Sequence, residues 1–184
     1  MTATASLPGV LQDLAVQLAA FQCMLLAVSA IHKLYRRGRA QAVLHEFAGV
    51  PRRLAPFAVV LVGSGEIFAG SLLWIPSHRT AGGVLAALIW GGYLLLILRA
   101  IARGRRDMDC GCSFGAAHRP LGAYQVARNA VLVGAAMLVA AISAAGVAEA
   151  VAGPQILAAF ALLALYGALD QVMALTPLRA GEIP

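Results

Sequence analysis

The sequence predicts an all-α integral membrane protein, a bundle of about five transmembrane helices arranged as a four-helix core plus one. Three observations predict it. Of the 184 residues 61% are hydrophobic and only 12% charged, about half the charge usual in a soluble domain. Mean hydropathy is +0.82. Apolar runs of about 20 residues, the length that a hydrocarbon core of roughly 30 Å demands of a helix, recur along the chain. No segment alternates long enough with the two-residue period of a membrane β-barrel.

The first expected span is 14–35, LAVQLAAFQCMLLAVSAIHKLY, polar at Gln17, Gln22 and Cys23. The residues before it lack the basic stretch of a secretory signal, and basic residues follow the "AVSA" at Ala27–Ala30, so this span is expected to be retained. Gly49-Val50-Pro51 and Pro56 punctuate the chain ahead of the second span, 54–75, and Pro76 ends it. The third span is 80–98, the fourth 124–147 behind Pro120, and the fifth 154–175, opened by Gly153-Pro154. With short connections and no internal repeat, residues 1–184 read as one helical-bundle domain. Gly63, Gly65, Gly70 and Ser71 in the second span, and Gly83, Ala87 and Gly91 at four-residue spacing in the third, allow close helix approach. Trp74 suits an interfacial belt, whereas Trp90 and Tyr93 read as aromatic architecture of the bundle.

The charge orients the chain. Lys33, Arg36, Arg37, Arg39, Arg52 and Arg53 lie at the first connection, and Arg99, Arg103, Arg105, Arg106, Arg119 and Arg128 at the third. With Arg179 in the C-terminal tail, thirteen of the 14 Lys and Arg fall on one side of a five-span topology, against Arg79 on the other. By the positive-inside rule this predicts a multi-pass protein of the bacterial plasma (inner) membrane, with the N-terminus outside and the basic loops and C-terminus cytoplasmic. A net charge of +6 distributed in this way attracts anionic lipid head groups. It argues for membrane lipid as a partner and against nucleic acid.

The chemistry concentrates in "DMDCGCSFG" (Asp107–Gly115), where Cys110 and Cys112 flank Gly111. Three cysteines in the chain are too few for an iron–sulfur cluster held by Cys alone. Cys110, Cys112 and His118 supply three metal ligands at an unusual spacing, so a zinc or copper site would need His32 or His45 as well. No metal site is assigned. A reversible disulfide fits better: Gly111 permits the tight backbone, and the short ring strains the bond and eases its reduction. Arg105, Arg106 and Arg119 favour a thiolate, and Asp107 and Asp109 oppose it. The plainer reading is two buried thiols around a glycine turn. For Cys23, in the first span, ordinary packing is set against a third thiol exchanging with the pair.

Glu66, in "VGSGEIFAGS", is an intramembrane carboxylate, a residue type that is costly in a bilayer and by default functional. It reads either as a proton carrier for thiol chemistry or as a protonated interhelical hydrogen-bond partner. Gln22, Ser29 and Lys33, at i, i+7 and i+11, share one face of the first span. Lys33 either snorkels to the head groups or tunes charge within the bundle. Arg128-Asn129, at the start of the fourth span, either anchors the interface or points inwards beside the cysteine loop.

Taken in order, "SAIHK" (Ser29–Lys33), "LHEFAGVP" (Leu44–Pro51), Glu66, "CGCSFG" (Cys110–Gly115) and "RN" (Arg128-Asn129) form a set. In these the chain resembles the methylamine-utilisation protein E (MauE)-like family, related to DoxX-like redox-associated membrane proteins. The likeness covers most of the chain up to about residue 145, and Ser113 is an extra residue against the family's "CGCFG" form. The resemblance implies a role in maturing disulfide-containing proteins outside the cytoplasm, with a thioredoxin-like (MauD-like) partner, in the original case for methylamine dehydrogenase. The expected function is therefore membrane thiol–disulfide exchange through Cys110 and Cys112, with Glu66 moving protons and Lys33, Ser29, Arg128 and Asn129 in support. A partner outside and a cysteine loop inside require either electron passage through the bundle or a motif that is reached from outside. A quinone is the acceptor that an oxidative version calls for, although no residue specifies its site, and no pattern sets an oligomeric state. Two rivals stand beside this reading: a non-catalytic membrane scaffold for the thioredoxin-like partner, and a small metal- or solute-handling protein with Glu66 in the pathway.

Overall fold

Proline and glycine punctuation divides the chain into helices, and the computed structural model, which describes residues 7–104, 122–146 and 150–175, follows it. Its helices are α1 (Leu7–Tyr35), α2 (Arg37–Ala48), α3 (Ala55–Trp74), α4 (Arg79–Ala102), α5 (Ala123–Ala144) and α6 (Gly153–Leu175), with a 3₁₀ turn, Pro76–His78, ahead of α4. Among the described residues there is no strand. Among the described residues five helices, all of these but α2, are long and apolar enough to cross a membrane. The fold is the all-α one that composition and run length predict. Helix ends reach past the apolar runs: α1 starts at Leu7 rather than 14, and α4 continues to Ala102 rather than 98. The backbone keeps its hydrogen bonds through polar flanks that a hydropathy reading leaves out.

The element absent from that reading is α2, which occupies much of the first basic connection. It ends at Gly49, whose φ of 71° is left-handed and costs a glycine little. The Val50 N–H then bonds back to the Leu44 carbonyl at 3.2 Å, and Pro51 follows closely, where helices stop. Phe47 of α2 packs with Ile97 and Ala100 of α4, against Val43, Ile101 and Val126 of α5. This helix therefore lies at one end of the bundle.

In the core, α1 packs on α3, α3 on α4, α4 on α5 and α5 on α1, closing a four-membered ring; α6 lies against α1. The alternating directions gather the C-terminal ends of α1 and α4, the N-terminal ends of α3 and α5, and α2 into one basic end. Small residues sit where the helices meet: Ala19, Ala69, Ala86, Ala136 and Ala159 are wholly buried. Phe57, Leu61, Val131 and Leu157 are strongly exposed, as outward faces against lipid would be.

Gly83 sets the α4–α5 spacing. A Cβ there would lie 2.9 Å from both the Ala136 carbonyl oxygen and the Ala140 nitrogen, so backbone meets backbone. Gly91, two turns on, has open space around it. Gly83→Val is expected to lower stability by about 1–3 kcal/mol, the scale of overpacking. Gly91→Ala should leave it unchanged or slightly raised. Thermal unfolding in detergent measures both.

Candidate functional site

Glu66 is the twelfth residue of α3 and is fully buried. Three donors converge on its Oε1, the Ser29 hydroxyl, the Lys33 ammonium and the Tyr93 phenol, each at 2.8 Å. Lys33 Nζ also donates to Ser29 Oγ at 2.5 Å and lies 4.9 Å from the centre of the Tyr93 ring. Ser29 and Lys33 are one turn apart on α1, so both reach the same carboxylate. A buried carboxylate–ammonium pair holds together only when hydrogen bonds offset its desolvation, and Ser29 and Tyr93 supply them. Lys33 therefore turns inwards rather than snorkelling. The other oxygen, Glu66 Oε2, is buried with no hydrogen-bond partner among the described residues. Such an oxygen has free acceptor capacity, and it is where this site can take a proton.

Tyr93 belongs to the site although its sequence position suggested bundle architecture. The signal that could have found it is its hydroxyl, which needs a partner when buried. Next to it, Trp90 Nε1 donates to Gln22 Oε1 at 2.8 Å, while Gln22 Nε2 donates to the Leu132 carbonyl at 3.1 Å. One amide thus ties α1, α4 and α5 together. The Trp90 and Tyr93 rings meet edge to face at 5.8 Å, joining this layer to the carboxylate. The stripe Gln22, Ser29 and Lys33 faces the interior throughout.

A second ion pair lies between α5 and α6. Arg128 Nη1 bonds Asp170 Oδ1 at 2.8 Å, with both side chains 6% exposed. The Tyr124 and Tyr166 rings flank the guanidinium at 6.0 and 5.8 Å. Asn129 bonds back to the Gln125 carbonyl at 2.9 Å. Asp170 had a signal in the sequence, a carboxylate within an apolar run, by the same rule that marks Glu66. Asp170→Ala should cost about 3–5 kcal/mol by stranding a buried cation. Arg128→Met with Asp170→Leu should recover most of that in the same unfolding measurement. Arg79, alone at the far end in the charge pattern, is also buried and donates to the Leu73 carbonyl at 3.2 Å in the last turn of α3.

The model of the family described as "Methylamine utilisation protein MauE" matches residues 11–143, which run from α1 to the end of α5. The chain belongs to this family. Over 128 residues it is 31% identical to the "Methylamine utilization protein MauE" of Methylophilus methylotrophus, covering 66% of this chain and 65% of that protein. Over 153 residues it is 30% identical to the protein of the same description from Paracoccus versutus, covering 81% of each. The chain thus spans just under two thirds of the first relative's length. No solved structure matches it.

Within this MauE-family chain the matched stretch contains the whole Glu66 cluster and Arg128, while Asp170 lies beyond it. Cys110, Cys112 and His118 lie outside the described residues. The ends of the segment that carries them, Gly104 after α4 and Gly122 before α5, are described, and both are at the basic end. The Gly122 N–H is bonded by the Gln125 side chain at 3.0 Å, which caps α5. Cys23 is a half-buried free thiol. Its sulfur lies 3.6 Å from where a Gly70 Cβ would stand, in the α1–α3 contact. It precedes Lys33 by ten residues, roughly 15 Å along the helix away from the basic end. Lys33 and Tyr93 also line a pocket between α1, α2, α3 and α4.

Proposed function

We propose that this chain is a membrane thiol–disulfide redox protein of a methylamine-utilisation system. In this reading Cys110 and Cys112 exchange electrons with a thioredoxin-like partner and so support disulfide formation in, or maturation of, exported proteins. The observation that carries the reading is Glu66: a buried carboxylate, held by Lys33, Ser29 and Tyr93 through one oxygen and open at the other. A purely structural carboxylate would be expected to use both oxygens.

The chemistry balances without a further reagent. A thiolate of the pair attacks the partner's disulfide, forming a mixed disulfide and releasing one partner sulfur as thiolate. The second cysteine then attacks the mixed bond, which closes Cys110–Cys112 and frees the other partner sulfur. Two electrons pass to the partner, and the two protons given up by the pair match the two that the partner takes up. Glu66 Oε2 relays such protons, while Lys33, Ser29 and Tyr93 fix the orientation of the carboxylate through Oε1. Arg128, with Asn129 beside it, anchors α5 to α6 where the cysteine segment rejoins the bundle. The reverse sequence, with a quinone as final acceptor, is the oxidative version. With the basic end in the cytoplasm, the stripe from Lys33 to Gln22 leads from the cysteine end into the bundle.

Thiol alkylation and mass shift after equilibration in thiol–disulfide buffers of stepped potential test the reading, with Cys23→Ser as background. A reversible two-electron transition of the pair is expected, less reducing than about −300 mV, below which structural disulfides sit. Thiols that stay reduced throughout, or a bond that never opens, would exclude exchange.

A further inference from the structure

We propose that the cavity beneath α2 is a water-filled proton inlet, through which Lys33 passes protons from the solution at the basic end to Glu66. The inference rests on the reading of Glu66 as a proton carrier and adds the route that supplies it. The chain has thirteen arginines and a single lysine, Lys33, and that lysine is the residue paired with Glu66. Either residue type could serve as a fixed counter-charge, whereas only lysine can release its proton and take it back. The ammonium has three hydrogens. Two are donated to Ser29 Oγ and Glu66 Oε1, which leaves a third for a further acceptor.

Glu66 is wholly buried and does not line the cavity, while Lys33, whose side chain is 14% exposed, does. Arg36 lines it as well, about one helical turn past Lys33, and is exposed to solution. The cavity therefore spans the step from the surface to the ion pair. That step is about 5 Å along the helix, the reach of two or three hydrogen-bonded waters. The cavity volume is about 60 Å³, room for about four to six waters at roughly 10–15 Å³ each. Waters in such a space need polar partners, and His32, Lys33, Arg36, Arg39 and Tyr93 all line it. Among the described residues no carboxylate lines it, so Glu66 is the first carboxylate that an entering proton meets. In the step itself the Lys33 ammonium gives up the proton of its 2.8 Å bond to Glu66 Oε1, becomes a neutral amine, and takes a proton back from the nearest water. The pair gains one proton and one unit of charge. A half-turn of the carboxyl group then brings the proton to the Oε2 position.

Two measurements on the full chain in detergent test the proposal. Formaldehyde with a borane reductant methylates only a neutral amine that it can reach, and Lys33 is the sole lysine, so peptide mass reads the reaction at one site. Lys33 should be methylated. Val62→Trp of α3 and Val43→Trp of α2, each filling the cavity from its own wall, should slow the reaction about tenfold or more. Leu61→Trp, at an exposed position of α3, should leave it unchanged. Time-resolved infrared spectroscopy after an acid jump follows the carboxyl band that Glu66→Gln removes. Its rise should slow about tenfold or more in both filled variants and in Lys33→Arg, which keeps the charge but holds its proton. A lysine that stays inert, or a rise as fast in any of these three variants as in the parent, would overturn the inlet while Glu66 remains a proton carrier. Absence of the band at every pH at which the protein stays folded would overturn the inlet and the proton reading together.

Discussion

Serine at Cys110 or at Cys112 is expected to lower thiol–disulfide exchange by several orders of magnitude, because each cysteine is needed for a different half of the transfer. The two single variants should differ from each other. With the attacking thiol kept and the resolving one removed, attack on the partner's disulfide yields a mixed bond that no second thiol of the pair resolves, so a covalent complex accumulates and appears on a non-reducing gel, whereas loss of the attacking thiol gives none. With both removed, no complex forms. Growth on methylamine, in a host whose own family member has been deleted, should fail with all three variants. The scaffold reading predicts normal growth with every one of them, and the metal-handling reading predicts stoichiometric metal in the purified protein that the variants lose. Cys23→Ser should leave growth intact, since that sulfur packs against Gly70 in the α1–α3 contact.

Glu66→Gln should produce the largest effect among the described residues. The amide keeps the shape of the side chain and one carbonyl oxygen for Ser29 and Tyr93, but it removes the charge opposite Lys33. Stranding that ammonium should cost about 3–5 kcal/mol in thermal or denaturant unfolding. Activity alone cannot separate this loss from a catalytic one, so the informative variant is Lys33→Met combined with Glu66→Leu. Replacing both members of a buried pair by apolar groups of similar size is often neutral for stability or better. The double variant should therefore approach the stability of the parent while exchange stays low, because no carboxylate remains to carry a proton. A double variant that is both stable and active would assign the cluster to packing. The coupling energy from the four-member cycle, expected within about 0.5–3 kcal/mol, reports how much of the stability belongs to the pair.

Much of this architecture was legible in the chain before any coordinates. Span number follows from the length of apolar runs, since a bilayer imposes its thickness on each helix separately. The inward stripe of Gln22, Ser29 and Lys33 was legible because a helix fixes the relative direction of side chains seven and eleven residues apart. That Glu66 is special follows from the cost of a carboxylate in hydrocarbon. The cysteine motif, too, is prominent in the sequence, and the reading of its chemistry rests there.

Other features needed the assembled bundle. Twelve residues of α2 are half-polar, so a reading tuned to membrane spans takes them for a loop; their helix is held by Phe47 against α4. The ring order sets α1 beside α3 and gives the carboxylate to Lys33, while Arg128 turns to Asp170 on α6. Tyr93 and Trp90 looked alike as bundle aromatics, yet one bonds Glu66 and the other Gln22. Span length, apolarity and the side on which charge accumulates belong to each segment alone, and so the sequence by itself determined them. Which buried donor meets which acceptor depends on the order, rotation and depth of neighbouring helices, and only the tertiary packing decides those.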